Sequence, residues 1–492
     1  MPSLAPVRAA PLSRRTLVLG SSAILLIVVW LGVLAYLHVR ADRDLRDAVA
    51  ETQRLDPNWT FDEIEAKRIT LPDGLNSATR VREVKKLLPK QWPPEPSIDG
   101  TARPGAPPVP VPPAIDGRVT GLAPELALDH ELACELRREL VVVQAALERA
   151  RTLRDLPQGR YAVEWSPDWL GTVLPCQEAR AVAILLRLDA AQRAHDGDID
   201  GALASAYALL NAARSIGDEP TALSQLARVS ITSTAILTLE RTLAQGVSSE
   251  PALAAFHQAI DDEMKEPLLL YLARGERAGH YRFFRGLMDG SVHASQMGDR
   301  TQPSDGQEDA EMAKLARFAT PKMLRLMNAF VEAAKLPPEQ QVARLKTINP
   351  QLDKNAPEDV LLGLFLPAFD RIAQSNLRFQ AHLRCASVAL AAERFRQATG
   401  RWPGEIAEMV PTFLTAVPLD PFDGQPLRWK PVPMGLVIYS VGPDEADDGG
   451  RLDPNRGTRP GTDFGIRLWD AAARRQVPEQ LTAMPREEQS SE

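Results

Sequence analysis

Cysteine is scarce. Three residues, Cys134, Cys176 and Cys385, are scattered over 492 positions, which excludes a disulfide framework or a paired-cysteine metal site; at most one bridge could form, leaving one thiol over. The 7 histidines are also few, and none stands at metal-ligand spacing. No GxSxG elbow, no GxxxxGK phosphate loop and no HExxH helix is present, so the local signatures of serine hydrolases, nucleotide-binding folds and zinc proteases are missing. A basic stripe is lacking as well. The net charge of -7 is spread along the chain, which argues against nucleic acid as a partner, because phosphate neutralisation needs clustered Lys and Arg.

What is present is globular in composition, with 44% hydrophobic and 25% charged residues, over a length that calls for two or three domains. The strongest signal is the uncharged run "TLVLGSSAILLIVVWLGVLAYL", residues 16–37. At 1.5 Å per residue it can cross a hydrocarbon core of about 30 Å. It predicts a single-pass transmembrane helix in contact with the lipid bilayer, after an N-terminal tail of residues 1–15. A cleaved signal peptide is the alternative, since "VLA" offers small residues, although its apolar region should run only about 7–15 residues. Arg8, Arg14 and Arg15 precede the run, and Arg40, Arg43 and Arg46 follow it among Asp42, Asp44 and Asp47. Counting Lys and Arg alone the two sides tie, so the expected orientation rests on a short tail staying inside. That puts the body on the extracytoplasmic side of the cytoplasmic membrane.

Residues 38–91 read as juxtamembrane helices. Thr60 and Glu63 stand at capping-box spacing, and Asn76 or Ser77 can cap a second helix. Residues 92–123 form a proline-rich linker in which missing donors favour extended polyproline II. From 124 to 356 a helical body is expected, with apolar positions three and four apart. Its middle is punctuated by "DGDID", "GDEP" and Gly246, which pair a helix-ending glycine with an acid suited to the next first turn. Three antiparallel helices follow from this, with tetratricopeptide-like hairpins but no recurring 34-residue register. "GRYAVEWSPDWL", residues 159–170, reads as a strand-like aromatic run, and residues 290–311 as a polar loop. The acids Asp261, Asp262, Glu263 and Glu266 read as a solvated helix face. The arginine- and aromatic-rich 274–286 reads as a partly buried helix face, and His382 with Cys385 as a pair packed on a sheet.

Residues 357–475 predict one long helix, kinked at Pro367 and closed by Gly400, followed by a small α+β module. Within it "QPLRW" and "LVIYSV" are β-forming, with "PVPMG" as the turn and "DPFDGQP" as a second tight turn. The sheet should bury Val388, Leu390 and Phe395. Residues 476–492 read as a disordered tail. The fold class expected is therefore mainly α: an N-terminal membrane helix, a helical body, and a C-terminal module with a long helix and an antiparallel sheet.

Four motifs in order carry a resemblance. A long helix ends in Phe395, Gly400, Trp402 and Pro403; "DPFDGQPLRW" spans Asp420 to Trp429; Tyr439, Ser440, Gly442 and Asp444 lead into Asp447, Asp448, Gly449 and Gly450; and "TDFGIRLW" occupies 462–469. This resembles the C-terminal half of the major pseudopilin of type II secretion systems, and the whole is similar to large single-span bacterial envelope proteins with a helical body and such a tail. Two features depart from the pseudopilins. "SRRTLVLGSSAILL" has neither their peptidase site nor the glutamate five residues into the membrane helix, and more than 300 residues separate that helix from the module. The resemblance thus implies a borrowed module, not a processed, polymerising subunit. It also implies calcium in the acidic loop, held by Asp444, Asp447 and Asp448 with Asp463 closing from the last strand. Hard cations take six to eight oxygens in such turns, but EF-hand spacing is absent and an Asp/Gly loop can equally be a solvated turn. Two functions stay open: a non-enzymatic scaffold meeting envelope or secretion-apparatus proteins, and a membrane-anchored hydrolase whose residues converge from the helical body.

Overall fold

The computed structural model describes residues 14–93, 114–297, 306–348, 352–365, 369–453 and 459–478. The first tail residues, most of the proline-rich linker, Pro367 and the final segment fall outside them.

Helix α1, Arg14–Leu55, holds the apolar run in its first half. It is the one helix among the described residues long and apolar enough to span a membrane. At 42 residues it is about 63 Å long. Neither glycine nor proline interrupts it after Gly32 until Pro57, so the charged turns beyond Leu37 extend the helix instead of ending it. Its two halves face different surroundings. The large apolar side chains of Ile24–Val33 and of Tyr36, Leu37 and Val39 are exposed, whereas Ala41, Ala48 and Thr52 are buried against the body.

Helices α2, Phe61–Lys67, and α3, Ser77–Leu87, follow. The expected capping box forms at Thr60 and Glu63, and Asn76 Oδ1 accepts the Ala78 N–H at 3.0 Å. The proline-rich span is not wholly extended: α4, Ile115–Gly121, lies within it, and Trp92 is buried with its indole N–H donated to the Ala181 carbonyl at 3.3 Å. Next come α5, His130–Val142, and α6, Gln144–Arg151. The punctuated stretch yields α7, Cys176–Asp196, α8, Ile199–Arg214, and α9, Ala222–Gln245. Gly197, at φ 86°, ends α7 in the left-handed region, and Asp198 caps α8 by accepting the Gly201 N–H at 2.9 Å, as this Gly-Asp punctuation requires. Helix α10 is Glu250–Met264, α11 is Leu268–Asp289, α12 is Gly306–Ala334, α13 is Pro338–Lys346, α14 is Pro357–Phe365 and α15 is Phe369–Thr399.

The sheet is antiparallel in the order β1, Arg428–Val432, β2, Gly435–Ser440, and β3, Phe464–Trp469. The hairpin is tighter than the sequence suggests, with only Pro433 and Met434 between its strands. Both outer strands have a device against unwanted pairing. Pro431 removes a donor from β1, and Glu240 of α9 accepts the Arg467 N–H of β3 at 3.1 Å. Helix α15 packs beneath the sheet and buries Val388, Leu390 and Phe395.

Two cores result. The larger is continuous from α3 through α5–α10 into α15 and the sheet, joining Val81, Leu136, Leu209, Phe256, Leu390 and Ile438. The second unites the docked half of α1 with α11–α14, around Ala48, Phe283, Phe284, Met327 and Leu362.

Three details differ from expectation. Residues 159–170 form no strand, having no partner strand among the described residues; they run as coil into a turn at 167–170, with Arg160 N–H donating to Asn76 Oδ1 at 2.9 Å and Trp165 packed on Phe61 at 4.8 Å. Gln476 is tied down, its N–H donating to the Glu125 carbonyl at 2.7 Å. Glu263 is not on a solvated face. It is fully buried and accepts from Arg214 Nε at 2.8 Å and from Arg228 Nε and Nη2 at 3.0 and 2.8 Å. Asp262 and Glu266, in contrast, are partly exposed.

Candidate functional site

The acidic loop leaves β2 beside a buried anchor. Asp420, wholly buried, accepts from Val441 N at 2.9 Å, Ser440 Oγ at 2.8 Å and Phe422 N at 3.0 Å. This stitches the "DPFDG" turn to the strand end. Arg428 then bridges the two segments, donating to Asp420 at 3.3 Å, to Asp423 at 2.6 Å and to Asp447 Oδ2 at 3.3 Å.

Three of the four nominated carboxylates, those of Asp444, Asp447 and Asp463, are engaged from within the protein. Asp447 Oδ1 accepts from Gly449 N at 2.9 Å and Tyr439 Oη at 3.2 Å; the Gly449 N–H, with Tyr439 and Arg428, holds its carboxyl below the usual range. Asp463 accepts from Asp448 N at 3.3 Å and Gly450 N at 2.6 Å. Burial nevertheless pushes the Asp463 carboxyl up. Asp444 accepts from Ala446 N at 3.3 Å and Gly461 N at 3.4 Å. Asp448 Oδ2 is buried without a hydrogen-bond partner, and Lys430 Nζ donates to the Gly449 carbonyl.

Around Asp444, Asp447 and Asp463 the directions a cation would need are thus taken by N–H, O–H and guanidinium groups. Among the described residues no group of three or more His, Cys, Asp and Glu side chains converges to hold a metal ion. The donor set from Asp444, Asp447, Asp448 and Asp463 does not fit a calcium cage, for a physical reason the sequence hides: Arg428 and Lys430 on β1 already supply the positive charge.

A second constellation went unread because its members lie far apart in sequence. Ser387 on α15 stands 2.9 Å from His257 Nε2 on α10, and Ser387 Oγ donates to Asp261 Oδ1 at 2.9 Å. The residues are those of a nucleophilic triad, but the proton order is reversed. Arg394 Nη1, 3.2 Å from His257 Nδ1, can only donate, so Nδ1 accepts and Nε2 carries the hydrogen toward serine. Burial holds this imidazole below its ordinary pKa and neutral. A serine that donates to aspartate and accepts from histidine is not activated for attack. The chain of bonds from Arg394 through His257 and Ser387 to Asp261 ties α15 to α10.

A third buried pair lies on α11. Glu276 accepts the Ala222 N–H at 2.7 Å, satisfying an orphan donor at the start of α9. His280 is one turn on, 3.9 Å away, with its ring packed on Trp169 at 5.3 Å. Burial pushes the Glu276 carboxyl up to about 7 and the His280 imidazole down to about 4. Gly275 and Gly279 make this region possible: a Cβ on the first would meet the Pro220 carbonyl at 2.0 Å and on the second the Trp169 ring at 2.2 Å. His382 packs on Phe464 at 5.1 Å, beside fully buried Cys385.

A fourth cluster lies where α1 meets the body. Asp56, just past its end, takes a forked contact from Arg274, 3.0 and 2.6 Å, and a third bond from fully buried Arg277. Arg277 also donates to Asn328 at 3.1 Å and lies over Trp59 at 5.6 Å. Asn328 in turn donates to Thr52 at 2.9 Å. Set against family models, curated proteins and solved structures, the chain matches none.

Proposed function

We propose that this chain is a single-span protein of the bacterial cytoplasmic membrane whose body stands on the extracytoplasmic side and acts as a non-enzymatic scaffold for envelope or secretion-apparatus proteins. One observation carries the reading. The exposed apolar half of α1 continues without a break into a half that packs on the second core through Ala48 and is fastened through Asp56 to Arg274 and Arg277. A helix built this way holds a body at a fixed stance on a bilayer. The stacked helices α7–α9, in a stretch whose punctuation resembles tetratricopeptide hairpins, and the pseudopilin-like motifs of the tail support a role in assembly.

The test is fractionation and topology. The full chain should stay in the membrane pellet after carbonate washing, and its body should be protease-sensitive in spheroplasts but protected in inverted vesicles. Release by carbonate removes the anchor reading, and the opposite protease pattern reverses the orientation. Chemical cross-linking in cells should then capture discrete envelope proteins. A chain that cross-links to nothing across several growth states would count against the scaffold.

A further inference from the structure

Helix α7 carries one face on which alanine replaces larger side chains. Arg187 begins that face, and Ala190, Ala191 and Ala194 continue it at three- and four-residue spacing. Their methyl groups leave a cavity of ≈ 80 Å³, walled on the far side by Leu237 and Thr238 of α9 and roofed by Leu122 and Pro124, which follow α4. The roof is held in place from α9. Arg241 donates to the carbonyls of Ala123 at 3.2 Å and Leu126 at 3.1 Å, and Gln245 Nε2 donates to that of Pro124 at 2.6 Å. The space is therefore propped open, and exposed Thr120 among its lining residues gives it a mouth.

One ion pair sets its chemistry. Arg187 Nη2 donates to Asp116 Oδ2 of α4, yet Arg187 Nε and Asp116 Oδ1 are both buried and neither has a hydrogen-bond partner among the described residues. The pair is neutral as a whole, so a charged guest gains no net attraction and loses its hydration. What is left over is one donor and one acceptor. The hydroxyls of Thr238 and Thr242 donate to the carbonyls of Thr234 and Thr238, at 2.8 Å each, and that of Thr120 to the Asp116 carbonyl at 2.9 Å, while the alanines, Leu237, Leu122 and Pro124 offer apolar surface. At about 10–15 Å³ per water-sized group the cavity has room for about five to eight such groups. Water alone fits it poorly, since a buried water needs about two to four polar partners and these walls supply few. A short alkyl chain interrupted by an amide meets both kinds of surface.

We infer that the cavity between α4, α7 and α9 binds a small neutral secondary amide of about five to eight non-hydrogen atoms, its carbonyl accepting from Arg187 Nε, its N–H donating to Asp116 Oδ1 and its alkyl ends lying on the alanine face. This goes beyond the scaffold proposed above and does not depend on the membrane anchor.

The experiment is saturation-transfer difference NMR of the full chain in detergent, titrated with N-propylacetamide and, separately, with propyl acetate, an ester of the same size that has no N–H. The amide should bind saturably, and the ester about tenfold more weakly, because it leaves the buried Asp116 oxygen unsatisfied. Ala191→Leu puts a larger side chain into the cavity and should abolish amide binding. Arg187→Lys keeps a positive charge for Asp116 but has no Nε–H, and it should weaken the amide about tenfold; it decides the matter if the melting curve shows that Ala191→Leu does not fold. Equal binding of amide and ester overturns the site by reducing it to an apolar void. Amide binding that is unchanged in either folded variant places the ligand elsewhere and overturns it too. No saturable binding at tens of millimolar amide leaves a cavity that holds water only.

Discussion

Glu263→Gln should unfasten the helical body. Glu263 has a fully buried side chain, and its partners Arg214 and Arg228 are 8% and 4% exposed. Burial alone would raise the carboxyl, but the charges and hydrogen bonds of Arg228 and Arg214 overcome it and hold it below its ordinary value. The neutral amide leaves buried Arg214 without its ion-pair partner and Arg228 with only the half-exposed Glu266 at 3.6 Å, and it turns an N–H toward their donors. Removing one member of a buried ion pair costs about 3–5 kcal/mol. For a cooperative unit of 150–250 residues each kcal/mol moves the melting temperature by about 2–4 °C, so the loss should be about 6–20 °C. The assay is thermal unfolding of the detergent-solubilised chain by far-ultraviolet circular dichroism at neutral pH. Because the folded carboxyl is depressed, its stabilisation is present above the unfolded value of 4.5 and is lost as pH falls through the lower folded value. Wild type and variant should therefore converge in acid. The triple change Arg214→Met, Arg228→Met, Glu263→Leu should be more stable than Glu263→Gln, since apolar groups can replace buried ions at little cost. A Glu263→Gln melt within about 2 °C of wild type, less than 1 kcal/mol on this scale, would refute the reasoning.

Asp56→Ala strands the buried Arg277 and should cost about 3–5 kcal/mol at the junction; amide exchange over residues 42–55 should accelerate, and unchanged exchange would show that the second core alone holds the anchor. Gly279→Ala drives a methyl into the Trp169 ring, so tryptophan emission should shift to the red with about 1–3 kcal/mol of lost stability. Glu276, raised to about 7 by burial, contributes stability that is present below its unfolded value of 4.5 and lost as pH rises through about 7. Glu276→Gln should flatten the decline in melting temperature across that window. His280, depressed to about 4, acts the other way below 6.5, and its effect should persist in the variant. Millimolar Ca²⁺ should leave the melting temperature of the full chain unchanged, and a rise of several degrees would show that the acidic loop rearranges into a cation site.

The parts legible in the sequence are those whose cause is local. Gly197 and Asp198 bound α7 and α8 because a left-handed glycine and an acidic cap act over one turn, and α9 is bounded just as locally by the Thr221 cap and by Gly246 in extended backbone. The Thr60–Glu63 box and the burial of Val388, Leu390 and Phe395 follow from short-range spacing in the same way. The continuation of α1 to Leu55 is legible as well, since nothing between Gly32 and Pro57 breaks a helix, although the apolar run itself ends at Leu37. What stayed hidden depends on distant partners. Glu263 looks solvated until Arg214 and Arg228, 49 and 35 residues away, close over it. Ser387 and His257 are separated by 130 positions. Residues 159–170 have strand composition without a neighbouring strand, and composition alone makes no sheet. Asp447 looks like an open cation ligand until β1 brings Arg428 across.

The continuity of the larger core reaches back to the birth of the chain. Helix α10 ends at Met264, yet the surface it shares with α15 and the sheet is not covered until residues up to Trp469 exist. At the usual synthesis rate of 5–20 residues per second, that is roughly 10–40 s of waiting. Through this interval the apolar faces of α8 to α10 stand open beside a nascent membrane segment that is itself apolar. A stop codon shortly before β3 should leave these faces uncovered and send the product to proteolysis.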